Sequence, residues 1–349
     1  MVQTYYKTRI DQTLKNLDKI KDTLPDFCDK FFIGIQGRTS PLTRLGYAFD
    51  LKIFFDFLIK KEICKKSEVK ELTLKDIDGI TAFDLEFFLD YLNSFEYNEK
   101  SLQNGECGKE RKLSAVRAFV RYFYKKDLLK QDIGSKVSSV RVKQKNIVKL
   151  EIDEVVKLLD MVELGTYSVS NHQKKYLEKC KFRDLAILTL FLGTGIRVSE
   201  LVGIDEKDID FENNSFCIVR KGGNKTILYF NEEIANTLKQ YKSWKVKNFD
   251  NTEQKAFFIS MRGTRLCVRA IENMVKKYSL LVAPLKKISP HKLRTTFGTN
   301  LYKETQDIYA VAEVLGHKDV NTTKKHYAEI SEEIKRLAIQ KIKLRDKNK

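Results

Sequence analysis

The chain has 349 residues, 42% of them apolar and 32% charged, and its 65 Lys and Arg against 47 Asp and Glu leave a net charge of +18. At roughly 100–200 residues per domain this length holds about two domains, and no run approaches the roughly 18 apolar residues of a membrane helix. The opening MVQTYYKTRIDQ has no apolar signal core, so a cytoplasmic protein is expected. The charge excess points to a polyanionic partner, with nucleic acid foremost, although a lysine-rich codon bias produces the same surplus.

The six cysteines, Cys28, Cys64, Cys107, Cys180, Cys217 and Cys267, stand too far apart for zinc pairs or a disulfide framework. From Thr43 to Lys61, Tyr47, Leu51, Phe54, Phe55 and Leu58 recur at helical spacing, with Asp and Lys opposite. A second helix over Arg111 to Lys126 buries Leu113, Val116, Val120 and Phe123. It also carries Arg117, Arg121 and Lys125 every four residues on another face. That stripe suits a phosphate backbone, although a solvated helix face is the plainer reading.

Residues 134–149 then combine Gly134 with three serines and five basic residues, Lys143 and Lys145 among them, and read as an extended basic linker. The expected division is therefore 1–146, a helical domain ending in that linker, and 147–349. In the second part, Leu150 to Met161 is amphipathic, and Arg183 to Leu192 is an apolar helix stopped by Gly193 and Gly195. SFCIVR and TILYF around KGGNK form a hairpin. Helices are expected over Asn231 to Lys245 and Arg269 to Leu280, so the fold is mainly α with a small antiparallel sheet.

Five local features carry chemistry. In GTGIRVSEL, Arg197 follows two glycines, where a fixed guanidinium fork suits a phosphate; an ion pair with Glu200, one turn away, is the plainer reading. Lys221 and Lys225 flank the hairpin tip. In SPHKLRTTF, Ser289 and Pro290 start a helix that puts His291 and Arg294 on one face. In DIYAVAEVLGHKD, Gly316 reads as a helix C-cap with His317 just beyond it. Tyr327 follows ten residues later.

Two Arg, two His, a Lys and a Tyr suit phosphoryl transfer from DNA. Arginines and histidines stabilise charge on the nonbridging oxygens, the tyrosine attacks phosphorus, and a lysine protonates the departing 5′ oxygen. There is no G-x-x-x-x-G-K-[ST] run and no acidic cluster spaced for a metal-dependent nuclease. Neither cofactor nor metal is expected.

The order R-x-x-E-L, hairpin lysine, H-x-L-R, L-G-H, Y resembles the tyrosine recombinase (phage integrase) family over about residues 40–330. The helix from Thr43, with Tyr47, Asp50, Leu51 and Phe54, resembles the family's SAM-like core-binding domain. The resemblance implies a two-domain C-shaped clamp on DNA. It places Arg197, Lys221, His291, Arg294 and His317 around the scissile phosphate and has Tyr327 form a 3′-phosphotyrosyl bond.

Lys221 stands 24 residues after Arg197, a typical family interval, and Lys225 is the second candidate. Many relatives place the nucleophile nine residues after the LGH histidine rather than ten, and His326 is read as a neighbour of Tyr327. An amphipathic segment near 330–345 implies a tetramer on two duplexes linked by helix exchange, with an accessory protein as a further partner. Arg117, Arg121, Lys143, Lys145 and Lys225 are the expected DNA contacts. With no arm-binding segment before residue 20, the short Xer-like or small transposon form is expected. The competing readings are a DNA-binding factor without catalysis and a type IB topoisomerase.

Overall fold

The computed structural model describes residues 5–97, 99–142, 147–165, 169–220, 223–249, 255–317, 319–321 and 339. The chain divides into two compact units, residues 1–145 and 146–349. Among the described residues no helix is long and apolar enough to cross a membrane.

The first unit runs α1 (Tyr5–Lys21), α2 (Cys28–Gly34), α3 (Pro41–Lys60), α4 (Leu74–Asp78), α5 (Ala82–Tyr91), a small hairpin of β1 (Phe95–Tyr97) and β2 (Lys100–Leu102), α6 (Glu106–Tyr124) and α7 (Ile133–Lys136). Polar starts set the short helices. Thr73 with Asp76, and Thr81 with Asp84, form capping boxes ahead of α4 and α5. Ser40 caps α3, with Pro41 in its first turn.

The core is dominated by phenylalanine: Phe31, Phe54, Phe55, Phe57, Phe88, Phe119 and Phe123 are all fully buried. Edge-to-face pairs such as Phe55 with Phe119, 5.6 Å apart at 74°, fix the packing of α3 on α6. On α6, Leu113, Val116, Val120 and Phe123 are buried, as their spacing predicts.

Two expectations need correction here. The Asp and Lys assigned to the outer face of α3 include Asp50, which is fully buried. Its Oδ2 accepts from Arg111 Nη1 at 2.5 Å, and buried Lys112 holds its Nζ 3.8 Å from Oδ1. Burial pushes the Asp50 carboxyl up and the Lys112 ammonium down from their ordinary values, against the attraction between them.

The second correction concerns the linker. Residues 133–136 are helical, and Ile133 and Gly134 are buried. Asp132 caps this turn by accepting from the Ser135 amide, and Arg117 holds the segment: Nε donates to the Gly134 carbonyl at 2.9 Å, Nη2 to the Val137 carbonyl at 2.5 Å and Nη1 to Ser139 Oγ at 2.9 Å. Its guanidinium is thus committed within the unit. Arg121 keeps a side chain 58% exposed beside Asp132, and Lys125 is exposed. Lys143 and Lys145 lie outside the described residues.

The second unit runs α8 (Ile152–Leu164), α9 (Asn171–Thr194), α10 (Val198–Val202), β3 (Ile209–Asp210), β4 (Ser215–Val219), β5 (Lys225–Tyr229), α11 (Glu232–Asn248), α12 (Val268–Val282), α13 (Pro290–Thr305) and α14 (Ile308–Leu315). The strands form one antiparallel sheet in the order β3-β4-β5, with Val219 opposite Lys225. Phe216 and Leu228 face the core from paired positions.

The organising helix is α9, which begins twelve residues before its apolar run. Its second half buries Leu185, Ala186, Ile187, Leu188, Leu190 and Phe191, and α11 and α13 pack against it. Buried Asp184 accepts from its neighbour Arg183 at 2.8 Å and from Tyr278 of α12 at 2.9 Å, so a satisfied polar network joins the two helices. The Leu150 amide donates to Thr296 Oγ1 at 3.0 Å, tying the start of the unit to α13.

Candidate active site

The site begins where α9 ends. Gly195 takes φ +61°, the left-handed cap, and its amide donates to the Phe191 carbonyl at 3.0 Å. A Cβ there would run into Phe297 and Leu315. Only glycine, therefore, lets the chain turn sharply while α13 and α14 close over it. Gly195→Ala is expected to cost about 2–4 kcal/mol, from the left-handed backbone and the overpacking together. Urea unfolding of the variant checks this, and an unchanged midpoint would contradict the packing described.

Two residues on, Arg197 caps α10 in extended conformation. Its amide donates to Glu200 Oε2 at 2.9 Å, and its Nη1 donates to Glu200 Oε1 at 2.8 Å. Glu200 is buried. The ion pair weighed as the plainer reading is present, but it uses one edge of the fork. Nη2 reaches the Gly316 carbonyl at 3.2 Å, and the side chain remains 34% exposed. Glu200 orients this guanidinium and leaves it accessible.

Arg294 arrives from α13, whose start is set by Ser289 and by Pro290 in the first turn. It is 5% exposed; Nη1 donates to the Gly195 carbonyl at 2.5 Å and Nη2 to the Leu315 carbonyl. His291 lies one turn earlier on α13 and is exposed, and its carbonyl accepts from Thr295 Oγ1 at 3.0 Å. α14 ends at Gly316, φ +61°, with the His317 amide donating to the Ala312 carbonyl at 2.9 Å. The helix end is thereby locked, and His317 stands half-buried directly after it.

A helix leaves its last carbonyls without intrahelical donors and carries negative partial charge there. At this end three arginines from three elements answer successive carbonyls. Arg220, next after β4, donates through Nη2 to Val314 at 2.8 Å, Arg294 to Leu315 and Arg197 to Gly316. Arg220 was not singled out in the sequence. A strand-end arginine beside a lysine carries no periodic signal, and only its side-chain contact 94 residues away marks it.

The structure thus gathers Arg197, Arg294 and the turn bearing His317, with His291 one helical turn from Arg294. Lys225 opens β5 and is exposed. Lys221, Tyr327, His326 and, apart from residue 339, the segment 330–345 lie outside the described residues. Among the described residues no group of His, Cys, Asp and Glu is placed to hold a metal ion.

Residues 149–333, which contain every member of this cluster, match the phage integrase family. The chain belongs to that family. This integrase-family chain is 33% identical over 301 residues to the tyrosine recombinase XerC of Caldanaerobacter subterraneus subsp. tengcongensis, across 84% of this chain and 79% of the relative. It is 30% identical over 336 residues to the tyrosine recombinase XerS of Streptococcus thermophilus, across 89% and 93%. A post-cleavage complex of the XerH site-specific recombinase with palindromic difH substrate matches with TM-score 0.63 at 19% identity, over 86% of this chain and 80% of that one. The Tn1549 transposon integrase with circular intermediate DNA matches with TM-score 0.60 at 19% identity, over 87% and 95%. At these identities the two structures establish a shared fold, mainly helical with a small antiparallel sheet. The activity of this integrase-family chain is that of a tyrosine recombinase, an enzyme that cleaves and rejoins DNA strands.

Proposed function

We propose that the chain recombines DNA at a specific duplex site, with Arg197, His291, Arg294 and His317 around the scissile phosphate and Tyr327 as nucleophile. The Tyr327 oxygen gives up its proton to an imidazole of the site, His291 or His317, attacks phosphorus, and a 3′-phosphotyrosyl bond forms. The bond from phosphorus to the 5′ oxygen breaks, and Lys221, with Lys225 as the second candidate, supplies the proton that this oxygen takes up. Arginine N–H groups and the histidines stabilise the charge on the nonbridging oxygens. Attack by a 5′ hydroxyl from the partner duplex reverses these steps, returns the tyrosine proton and seals the exchanged strand.

One observation carries this reading. Arg197 and Arg294 come from elements about a hundred residues apart in sequence, and both are anchored on the turn that ends in His317. Fixed guanidiniums of this kind are preorganised for phosphate and need little rearrangement on binding. In the same reading, 1–146 is the core-binding domain and 147–349 the catalytic domain. Arg121, Lys143, Lys145 and Lys225 contact phosphates, and the segment near 330–345 links subunits into a tetramer in the cytoplasm.

Covalent capture of strands from a pool of random duplexes defines the site. A supercoiled plasmid bearing two direct repeats of it is expected to resolve into two circles, while a site-free plasmid stays supercoiled. Relaxation of the site-free plasmid without resolution of the other would replace recombination with topoisomerase activity.

A further inference from the structure

The hairpin that carries both candidate lysines is held at one point that the reaction scheme does not use. The Arg220 amide donates to the Asn224 carbonyl at 2.8 Å, and its carbonyl accepts from the Gly223 amide at 3.0 Å, so Arg220 closes the base of the loop. Its side chain leaves the sheet to reach the Val314 carbonyl, and its guanidinium lies where Gly316 presents no Cβ. Any larger residue at 316 would collide with it.

The contact is costly. Arg220 Nε is buried without a hydrogen-bond partner among the described residues, a condition that ordinarily costs about 1–3 kcal/mol. Burial pulls the guanidinium below its ordinary value, with Glu200 opposing that shift and Arg197 adding to it. A charge placed beside another arginine and partly desolvated is poor design for stability alone. It does join two segments that strand cleavage needs in register: the loop that begins with Lys221 and the turn that ends with His317.

We propose that Arg220 is a positioning residue for strand cleavage, clamping the β4–β5 loop to the Val314–Gly316 turn so that the hairpin lysine meets the departing 5′ oxygen. Arg220 acts through the lysine, and the proposal rests on the recombinase chemistry set out above. A lysine at 220 keeps the charge but lacks the planar fork that spans the turn, so charge alone does not restore the clamp.

The test compares two suicide substrates carrying the captured site, one with the natural bridging 5′ oxygen and one with a 5′ sulfur at the scissile phosphate. A thiolate leaves without a proton, so the sulfur substrate bypasses the general acid. Arg220→Gln is expected to slow adduct formation on the oxygen substrate by about 10²-fold, the scale of a lost proton donor, and to approach the wild-type rate on the sulfur substrate. Arg220→Lys is expected to show the same sulfur rescue. The sulfur-to-oxygen ratio does not depend on the fraction of folded enzyme, so a partly unfolded variant still reports. Equal slowing on both substrates, or a wild-type rate on oxygen, would overturn the assignment while leaving an active wild type and the recombinase reading intact. A wild-type chain that forms an adduct with neither substrate would overturn that reading and the positioning role with it.

Discussion

Replacing Arg294 with alanine should lower strand cleavage by at least about 10²–10³-fold, the effect of deleting one preorganised donor from a developing oxyanion. The loss has a second component, because Arg294 also completes the structure of the site. Its guanidinium satisfies the carbonyls of Gly195 and Leu315 in a buried setting, and each orphaned carbonyl costs about 1–3 kcal/mol. Arg294→Lys separates the two. The ammonium keeps a positive charge, but a single nitrogen does not reproduce the two-pronged bridge between the helix ends. Arg294→Lys should therefore retain most of the DNA affinity, lose most of the cleavage rate and unfold at lower urea than the wild type. Single-turnover adduct formation alongside a binding isotherm measures the first two. Cleavage within threefold of wild type would remove Arg294 from the site.

Asp50→Ala should destabilise the first unit by about 3–5 kcal/mol, because it leaves a buried cation without its counter-charge. Lys112 is 4% exposed and its other polar contact is Asn104 Oδ1 at 3.1 Å. Burial already pushes the Asp50 carboxyl up, so the ion pair is held at a net desolvation cost, and removing one member exposes the full cost of the other. The double variant Asp50→Ala with Lys112→Met should recover much of the loss, since it removes both charges and leaves apolar volume in an apolar core. Thermal or urea unfolding distinguishes the cases. Equal destabilisation by the single and double variants would mean that the carboxylate matters for reasons other than charge.

The sequence was most legible where a residue's chemistry and its backbone demand coincide. Gly316 ends α14 because glycine alone enters the left-handed region without strain, and LGH marks that cap from its residues alone. The β4–β5 hairpin was readable from β-branched and aromatic runs around Gly-Gly-Asn, and the α6 core from its period. Less was legible where the deciding contact is distant in the chain. Asp50 sits among Lys and Asp residues at a position that periodicity assigned to the outer face, and only Arg111 and Lys112, sixty residues away, explain its burial. Arg117 looked like part of a basic stripe; a charge count does not distinguish an arginine facing solvent from one answering the carbonyls of Gly134 and Val137. The first half of α9, NHQKKYLEKCKF, is polar and gave no apolar signal, so the apolar run alone marked too late a start.

The same distinction governs the site. Arg197, His291, Arg294 and His317 stand out because each lies in a short pattern with its own helix cap or partner. Glu200 was visible only as a competitor for Arg197, whereas the structure makes it the group that aims the guanidinium at Gly316.

Trapping the covalent complex, digesting the DNA to a nucleotide stub and the protein with trypsin, and sequencing the modified peptide by mass spectrometry locates the nucleophile. Cleavage after Lys325 and Lys335 isolates a peptide, HYAEISEEIK, whose only tyrosine is Tyr327. A 3′-phosphonucleotide on Tyr327, absent from the Tyr327→Phe protein, is the result expected. A nucleotide on any other side chain, or an adduct that persists in Tyr327→Phe, would contradict the convergence of these residues on one phosphate.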